Sequence, residues 1–350
     1  MICEGRAKIE TASSVFYNPR MKFCRDADME IFRMFKSRTY LDALSATGIR
    51  GIRAILEAGF RHVEFNDISK EACELIRRNL EMNSIRATVH NRDASALMRE
   101  ISYHHVDIDP FGSPSEFIDS AAKSARKYLS ITATDTSALC GSSPISGLRK
   151  YSSFAEKTEY YHETGLRMLA GKIVREITKY DKSCEVMVSW TREHYYRIHF
   201  RLRKTSRGAG KIYEKIGYIL HCWKCGNRTW IDVFETPEMF CKCGMKFRMY
   251  GPLWLGELHD PEFVSSLSRN GETGELFERI SREIQTVTHY DVHALCKNLG
   301  ISPPSISEII DALRDRGYLA SRTRFSGTSF KTDAEIDVIR EIFLRIHQQP

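Results

Sequence analysis

Residues 42–50 read Asp42-Ala43-Leu44-Ser45-Ala46-Thr47-Gly48-Ile49-Arg50, so an apolar strand passes into a glycine-bearing turn and then into a helix. Such a turn, at the carboxyl end of a parallel strand, lies at the edge where open α/β sheets bind ligands. It lacks the Gly-x-Gly-x-x-Gly pattern, so its single glycine could also serve only to cap the following helix. The stretch predicts an α/β fold with a candidate cofactor turn.

Short apolar runs alternate with amphipathic stretches from about residue 39 to residue 190, which is typical of a parallel sheet with crossover helices. The predicted strands are 39–44, 62–66, 87–90, 104–108 and 129–133. The predicted helices are 49–58, 70–82, 95–101, 115–125 and 156–179. A hairpin of 186–190 and 196–201 is expected to complete the sheet as an antiparallel addition. We therefore expect a Rossmann-like domain, with a mostly parallel sheet and helices on both faces.

Acidic residues follow the second and third predicted strands. Asp67 ends the second strand, where a carboxylate can accept hydrogen bonds from both hydroxyls of a ribose. Asp67 could also be the N-cap of the helix that starts near Lys70, and the two roles are compatible. Asp93 and Ala94 follow the third strand, where a carboxylate can receive an adenine amino group. This series of strand ends indicates S-adenosylmethionine as cofactor.

An acid-proline-aromatic turn ends the fourth predicted strand, in Asp107-Ile108-Asp109-Pro110-Phe111-Gly112-Ser113-Pro114. The exocyclic amine of a base is a poor nucleophile, so an enzyme must hold it with acceptors while a sulfonium methyl approaches in line. Asp109 and the carbonyl of Pro110 can accept from the amine, and the ring of Phe111 can stack on the base. An ordinary Asp-Pro turn would look similar, but the position at a strand end favours amino-group methylation. Asp107 is expected to be structural.

Composition limits the class of protein. The chain has 350 residues, 42% hydrophobic, which is enough for two domains. It has no apolar run of eighteen residues or more and no signal-like N-terminus, so we expect a cytoplasmic protein without a membrane span. The net charge of +7 is compatible with a polyanionic partner over part of the surface, although proteins that bind no nucleic acid reach this charge too. No obligate protein partner is evident.

Four of the ten cysteines form a cluster, Cys222, Cys225, Cys241 and Cys243, whereas the other six are scattered. Four thiolates at this separation suit tetrahedral Zn²⁺, and Gly226 and Gly244 allow knuckle turns. Free buried thiols and a redox pair are the weaker interpretations.

The remaining regions predict surfaces rather than chemistry. Residues 192–215 are rich in arginine and lysine and could bind phosphates or form an ordinary solvated face, with a flexible loop at 205–210. Helices at 291–298 and 305–316, followed by a hairpin at 318–328, give a winged-helix pattern. Its arginines could contact an RNA backbone or serve only packing; they are Arg314, Arg316, Arg322 and Arg324. We expect a methyltransferase domain at 1–216 and a nucleic-acid-binding domain at 217–350.

Several motifs together resemble the tRNA (guanine-N2)-dimethyltransferase family that modifies guanine 26, in its short archaeal form. They are 16–19 with Arg25-Asp26, 42–50, 107–114, Thr132-Ala133-Thr134-Asp135-Thr136 and Arg149-Lys150-Tyr151, and the likeness continues through 251–254 and 291–293 to 321–323. It covers nearly the whole chain.

The resemblance implies a role for particular residues. Contacts to S-adenosylmethionine would come from Arg25, Arg50, Asp67, Asp93 and Ala94, with Arg25 and Arg50 at its carboxylate end. The guanine of tRNA would lie between two rings, with Asp109 at its N2; the residues around it would be Phe16, Asp109, Pro110 and Phe111.

Two departures from the family pattern stand out. Cys24 replaces the asparagine that usually precedes the Arg-Asp pair, and the second knuckle is Cys-x-Cys instead of Cys-x-x-Cys. Two alternatives remain open at this point. One is a methyltransferase acting on amines of DNA or of other RNA bases, and the other is a non-catalytic zinc and winged-helix nucleic-acid-binding protein.

Overall fold

The computed structural model of the protein describes residues 1–348. The strands are β1 (Ile2–Glu4), β2 (Ala7–Ile9), β3 (Tyr40–Asp42), β4 (Val63–Asp67), β5 (Thr88–Asn91), β6 (Tyr103–Ile108), β7 (Ala125–Ala133), β8 (Lys182–Arg192), β9 (Tyr195–Lys204), β10 (Ile216–His221), β11 (Arg228–Asp232), β12 (Arg248–Trp254), β13 (Tyr290–Asp291), β14 (Ala320–Arg322) and β15 (Ser329–Thr332). The helices are α1 (Lys22–Phe35), α2 (Ile49–Ala58), α3 (Lys70–Met82), α4 (Ala94–Glu100), α5 (Ile118–Ser124), α6 (Thr136–Leu139), α7 (Pro144–Tyr151), α8 (Tyr161–Thr178), α9 (Ser206–Lys211), α10 (Pro261–Ser265), α11 (Gly271–Ser281), α12 (Val292–Leu299), α13 (Ile306–Asp315) and α14 (Ile336–His347).

A seven-stranded sheet organises the first part of the chain, with the order β5-β4-β3-β6-β7-β9-β8. The first five strands in that order are parallel, and β9 and β8 add antiparallel. Side chains alternate between the faces, so Tyr40 packs into one apolar core with α1, α2 and α3, while Leu41 packs into another with α4, α5 and α8. Helices on both faces confirm the predicted Rossmann-like fold.

Most elements lie where the sequence predicts them. Helices α2 and α3 have the predicted bounds, the five predicted strands are present within a few residues, and the hairpin of β8 and β9 completes the sheet. The loop predicted at 205–210 is wrong, because Ser206–Lys211 form a short helix whose N-cap Thr205 accepts a hydrogen bond from the Gly208 amide at 3.2 Å. The segment around Cys24, for which the sequence analysis gives no helix, belongs to helix α1.

The second part of the chain contains two smaller sheets. Strands β11, β10 and β12 form one, beside the cysteine cluster, and β13, β15 and β14 form the other. The second sheet packs with α12, α13 and α14 around one apolar core, which agrees with the winged-helix pattern. The hairpin lies further on than predicted, since its second strand is Ser329–Thr332. Among residues 1–348, no helix combines the length and the apolar character that crossing a bilayer requires.

Buried charges tie helix α8 to the second part of the chain. Glu163 lies one turn before Arg167 on α8, and Glu163 accepts from Lys331 of β15 at 2.8 Å. Arg167 donates to the carbonyls of Trp254 and Gly256 at 3.0 and 2.9 Å. Burial raises the pKa of Glu163, but the charges of Lys331 and Arg167 lower it more, so the pKa of Glu163 lies well below its ordinary value. These contacts fix the winged-helix part against the sheet.

Candidate active site at the carboxyl edge of the sheet

The turn after β3 lies at the carboxyl edge and is held by its own backbone. The Ser45 amide donates to Asn66 of the neighbouring strand at 2.9 Å, and the Ser45 hydroxyl donates to the Asp42 carbonyl at 2.7 Å. Ala46 and Gly48 both have positive φ, at 48° and 78°. Glycine suits that conformation, and Gly48 is also the N-cap of helix α2. The cap role of Gly48 is therefore confirmed, and the role of the turn in cofactor binding stays a prediction.

One cavity of about 320 Å³ opens at this turn. Its wall includes the turn residues together with six of the residues predicted for the site, namely Phe16, Arg25, Arg50, Asp109, Pro110 and Phe111. The N-terminal arm, helix α1, the turn after β3 and the loop after β6 therefore meet at one place, although they are far apart in the sequence. His194, on the β8–β9 turn, also contributes to the wall.

A chain of alternating buried charges runs under the cavity. Arg50 contacts the carboxylates of Asp109 and Asp28 at once. Asp28 in turn accepts two hydrogen bonds from Arg197, each 3.0 Å long. Arg197 also donates twice to Asp107, at 2.7 Å for each bond. Three carboxylates and two guanidinium groups leave a net charge of minus one, which Asp109 brings to the cavity wall.

The charged groups beneath the cavity shift the pKa values of their neighbours. Burial opposes charge on both types of group, but the Asp109 carboxylate holds the pKa of Arg50 above its ordinary value. Burial likewise opposes the ionisation of Asp107, but the charge and hydrogen bonds of Arg197 hold the pKa of Asp107 below its ordinary value. Asp42 differs, because burial and the nearby Asp107 charge raise its pKa well above the usual range. The ion pairs therefore favour the charged forms of Arg50 and Asp107.

Two exposed aromatic rings stand at the mouth of the cavity. Phe16 is 58% exposed and Phe111 is 86% exposed, which is unusual for side chains of this size. Their ring centroids are 5.7 Å apart and the ring planes make an angle of 68°. Asp109 lies in the same cavity wall. The structure thus brings together the three side chains from which a base clamp was predicted.

Arg25 is anchored at the back of the site by the N-terminal hairpin. Its Nε and Nη2 donate to the two carboxylate oxygens of Glu4 at 2.7 and 2.6 Å. Glu4 also pairs with Arg53 at 2.8 Å and accepts from the Tyr17 hydroxyl at 3.0 Å. Burial opposes ionisation, but Arg25 and Arg53 lower the pKa of Glu4 to about 2. Glu4 therefore fixes two nitrogens of the Arg25 guanidinium group, and Arg25 also lines the cavity wall.

The remaining predicted cofactor residues continue along the same edge. Asp67 accepts from the Ala46 amide at 2.9 Å and from the Ser69 amide at 2.9 Å, so it links the cavity turn to the start of α3. The N-cap of α3 is Ser69, and the interpretation of Asp67 as that cap is therefore wrong. Asp93 caps α4 by accepting from the Ala96 amide at 2.7 Å, and Ala94 is buried behind it. Asp67 contacts the cavity turn without lining the cavity, and Asp93 and Ala94 lie one strand further along, so none of these three residues belongs to the cavity wall.

The four clustered cysteines come together beside β10. Their Sγ atoms all lie within 4.8 Å of one another, and the pairs Cys222–Cys243 and Cys225–Cys241 are each 3.5 Å apart. Zn–S bonds of about 2.3 Å in a tetrahedron require sulfur atoms roughly 3.8 Å apart. The backbones turn at Gly226 and Gly244 with φ of 73° and 82°. The cluster fits a zinc ion, and the Cys-x-Cys knuckle does not prevent the fit.

Arg197 lies elsewhere than the sequence predicts, whereas Arg314 and Arg324 take the packing alternative. Arg197, placed in a solvated or phosphate-binding run, is fully buried in the charge chain, and Arg324 is buried beside Glu283. Arg314 donates to the Ala320 carbonyl at 2.8 Å, and Arg316 pairs with Glu341. As placed, neither Arg197 nor Arg324 can contact an RNA backbone. Arg322 stays exposed.

Sequence reasoning missed Asp28 and Glu4, the partners of the two cavity arginines. A signal for Asp28 was present, because Cys24, Ile31, Phe32 and Phe35 recur at helical spacing and place residue 28 on the same face. A carboxylate among buried apolar positions points to a buried cation as partner. No comparable local pattern identifies Glu4, whose partners lie 21 and 49 residues away.

Comparisons with known proteins agree with this geometry. The family model described as N2,N2-dimethylguanosine tRNA methyltransferase matches residues 2–344. A tRNA (guanine(26)-N(2))-dimethyltransferase from Archaeoglobus fulgidus is 49% identical over 342 residues, covering 97% of each chain. The enzyme of that name from Methanoculleus marisnigri is 38% identical, covering 95% of this chain and 92% of its own.

A solved structure is similar over the same length. It is Trm1 from Pyrococcus horikoshii in complex with S-adenosyl-L-methionine, with a TM-score of 0.91 and 38% identity. The match covers 97% of this chain and 98% of the other. The fold, the cavity and these matches lead to one conclusion: this chain belongs to the N2,N2-dimethylguanosine tRNA methyltransferase family.

Proposed function

We propose that this protein uses S-adenosylmethionine to methylate the exocyclic N2 of guanine 26 in tRNA, giving the monomethyl and dimethyl products. The observation that carries the proposal is the single cavity that joins Phe16, Phe111 and Asp109 to the turn after β3. The curated relatives carry the name of this activity over nearly their whole length. The ligand in the similar solved structure supports the choice of methyl donor.

The chain's own residues hold the amine. Arg50 occupies Oδ2 of Asp109, which leaves Oδ1 to accept a hydrogen bond from the N2 amine together with the Pro110 carbonyl. When bound, S-adenosylmethionine supplies an electrophilic methyl group on a positively charged sulfur. The fixed negative charge of Asp109 orients the amine and stabilises the positive charge that develops on its nitrogen. The methylated nitrogen is strongly acidic, so it loses one N–H proton to Asp109 Oδ1 or to solvent, and no general base of high pKa is required.

The rings must separate to admit the base. A base between Phe16 and Phe111 needs two carbon contacts of 3.5–4.0 Å, so the ring centroids must be roughly 7–8 Å apart. They are 5.7 Å apart here. Guanine 26 lies at the junction of tRNA stems, so it has to leave its stack before it can enter. We infer that the exposed rings move apart as the base arrives and then exclude water from it.

The cofactor lies along the carboxyl edge in this proposal. Arg25 and Arg50 bind its carboxylate end, Asp67 binds the ribose, and Asp93 with Ala94 binds the adenine. Support comes from the order of the strand ends, because β3, β4 and β5 are neighbours and Asp67 pairs in register with Asn91. Neighbouring strands are about 4.8 Å apart, so these residues form a row that a nucleoside can follow.

The remaining assignments concern the domains, the metal site, the tRNA contacts and the cellular location of the enzyme. We assign catalysis to residues 1–216 and tRNA holding to residues 217–350, with zinc in the cluster of Cys222, Cys225, Cys241 and Cys243. Exposed basic residues such as Arg203, Arg207 and Lys211 offer phosphate contacts near the sheet. A tRNA substrate is compatible with a cytoplasmic enzyme, as is the finding that no helix within residues 1–348 could cross a membrane.

The test is transfer from radiolabelled S-adenosylmethionine to unmodified tRNA, followed by mass spectrometry of the nucleosides. The proposal predicts labelled N2-methylguanosine and N2,N2-dimethylguanosine, and no incorporation when residue 26 of the tRNA is adenine. Label in an adenine or cytosine amine, or label in DNA offered in parallel, would contradict the substrate. Binding of S-adenosylmethionine without turnover on any nucleic acid would contradict the enzymatic role.

A further inference from the structure

Two motifs of the sequence have no role in the site as described so far, 132–136 and 149–151. Thr134 and Asp135 follow β7, the strand next to β6, and Tyr151 is the last residue of helix α7. In the structure both motifs lie against the loop that follows β6, which carries Phe111. They therefore contact the loop that carries Phe111, and Thr134 also lines the cavity itself.

Packing does not hold the ring of Phe111. The side chain is 86% exposed, and its aromatic contact is the edge of Phe16, which is itself exposed. The orientation of the ring therefore depends on the backbone on either side of it. On the amino side, Asp109 is fixed by Arg50. On the carboxyl side, Gly112 has φ of 90°, a conformation that other residues rarely adopt.

Thr134 fixes the peptide groups of Gly112. The Gly112 amide donates to the Thr134 hydroxyl at 2.8 Å, and the Thr134 amide donates to the Gly112 carbonyl at 2.9 Å. Both polar groups of that backbone unit are therefore used by one residue of the neighbouring strand end. A loop with a free glycine at this point would be able to rotate Phe111 away from the cavity.

A directed chain of hydrogen bonds fixes the next residue, Ser113. The Tyr151 hydroxyl donates its single proton to Asp135 at 2.5 Å, so the Ser113 hydroxyl, at 3.0 Å, must donate to the oxygen of Tyr151. Lys150 occupies the other oxygen of Asp135 at 3.1 Å. Tyr151 and Lys150 therefore both donate to the Asp135 carboxylate, and Ser113 donates to the Tyr151 oxygen, so the direction of each hydrogen bond is fixed.

Tyr151, the residue that anchors these hydrogen bonds, is itself held in place. Tyr151 is fully buried, and its carbonyl accepts from Arg175 of helix α8 at 2.7 Å. Burial and the neighbouring Asp135 carboxylate raise the pKa of Tyr151, so its hydroxyl remains a donor at every working pH. These hydrogen bonds link the loop that carries Phe111 to helix α8.

We propose that Thr134, Asp135 and Tyr151 are positioning residues for the methyl transfer, which hold the backbone of Gly112 and Ser113 so that the Phe111 ring stands ready to stack on the flipped guanine. The inference rests on the proposed function, because it assigns Phe111 to the substrate. It assigns no contact with S-adenosylmethionine to the three residues. Their loss should therefore change the handling of the base and leave cofactor binding unchanged.

The test compares Tyr151→Phe with Tyr160→Phe. Tyr160 is also fully buried, and its hydroxyl is 3.1 Å from His221, away from the clamp, so this variant also loses one hydroxyl contact in the core. The single-turnover rate of methyl transfer to tRNA should fall about tenfold in Tyr151→Phe, equivalent to about 1.4 kcal/mol, and by less than twofold in Tyr160→Phe. The dissociation constant for S-adenosylmethionine should change by less than twofold in both.

Two further measurements complete the design. Thr134→Val should slow transfer as Tyr151→Phe does, whereas Thr134→Ser, which keeps the acceptor, should restore the rate. A tRNA with 2-aminopurine at position 26 reports by its fluorescence that the base leaves its stack and enters the clamp, and the change in fluorescence on binding should be smaller in Tyr151→Phe. Equal rates for Tyr151→Phe and Tyr160→Phe would overturn the inference, as would weakened cofactor binding in Tyr151→Phe. Absence of transfer by the wild-type protein would instead contradict the proposed function.

Discussion

Replacing Arg197 by methionine tests the buried charge chain beneath Asp109. Arg197 is fully buried and donates twice to Asp28 and twice to Asp107, at 2.7–3.0 Å. The methionine keeps most of the apolar length but leaves Asp107 in the core with the Tyr40 hydroxyl, at 3.2 Å, as its remaining side-chain donor. Removing one partner of a buried ion pair costs about 3–5 kcal/mol. In a folded unit of 150–250 residues, this corresponds to a melting temperature lower by roughly 6–20 °C.

The assay is thermal unfolding followed by circular dichroism, with Arg201→Met as the matched control. Arg201 lies on the same strand, but its ion pair with Glu185 is partly exposed, so its loss should cost less than about 1 kcal/mol. A second variant that also carries Asp107→Asn should recover part of the loss, because it removes the unpaired charge. Equal melting temperatures for Arg197→Met and Arg201→Met would refute the reasoning.

The same variant has a predicted pH dependence. In the wild type the pKa of Asp107 is lowered, chiefly by Arg197 against the effect of burial, so its contribution to stability is present above the unfolded pKa of about 3.9 and is lost as the pH falls through the folded pKa. Without Arg197, burial raises the folded pKa, and ionisation then opposes folding. The difference in melting temperature between wild type and Arg197→Met should therefore shrink as the pH falls from 7 towards 4. A difference independent of pH would contradict this assignment of charge.

Three further predictions concern the substrate, the cofactor and the metal. Phe16→Ala and Phe111→Ala should each lower kcat/KM for tRNA by roughly 5- to 150-fold, which corresponds to the loss of about 1–3 kcal/mol of base stacking. Calorimetry should show unchanged binding of S-adenosylmethionine in both variants. An unchanged kcat/KM would rule out the clamp. Asp67→Asn should weaken binding of S-adenosylmethionine about tenfold in the same calorimetric titration, because charge-assisted bonds to the ribose become neutral, and unchanged affinity would exclude the ribose contact. Cys241→Ser should lower both the zinc content by elemental analysis and the melting temperature, and a metal-free wild-type protein of full stability would contradict the zinc site.

Local periodicity explains what the sequence predicted well. Helices α2 and α3 carry apolar residues at helical spacing between clear start and stop signals, and their bounds were predicted to the residue. The acidic strand ends and the acid-proline-aromatic turn are also local, and they placed Asp67 and Asp109 at the sheet edge. The cluster of Cys222, Cys225, Cys241 and Cys243 follows from spacing in the same way.

Long-range contacts explain the features that the sequence did not predict. Arg197 looks like one more residue in a basic run, and only the fold brings it to Asp28, which is 169 positions away in the chain. Helix α9 forms despite two internal glycines, and Gly208 has a packing reason, since a Cβ there would lie 3.0 Å from Ser183 of β8. Such residues are selected by neighbours that the local sequence does not contain.

The central claim is that Asp109 holds the N2 amine during methyl transfer, and one rate constant tests it most directly. The measurement is single-turnover transfer to unmodified tRNA, at saturating S-adenosylmethionine, by Asp109→Ala and by the control Glu116→Ala. Glu116 is an exposed carboxylate seven positions further along the chain. We predict that the rate falls by about 100-fold or more in Asp109→Ala, the usual cost of losing one preorganised polar contact to the reacting group, and stays unchanged in Glu116→Ala. A rate for Asp109→Ala equal to that of the wild type would contradict the account.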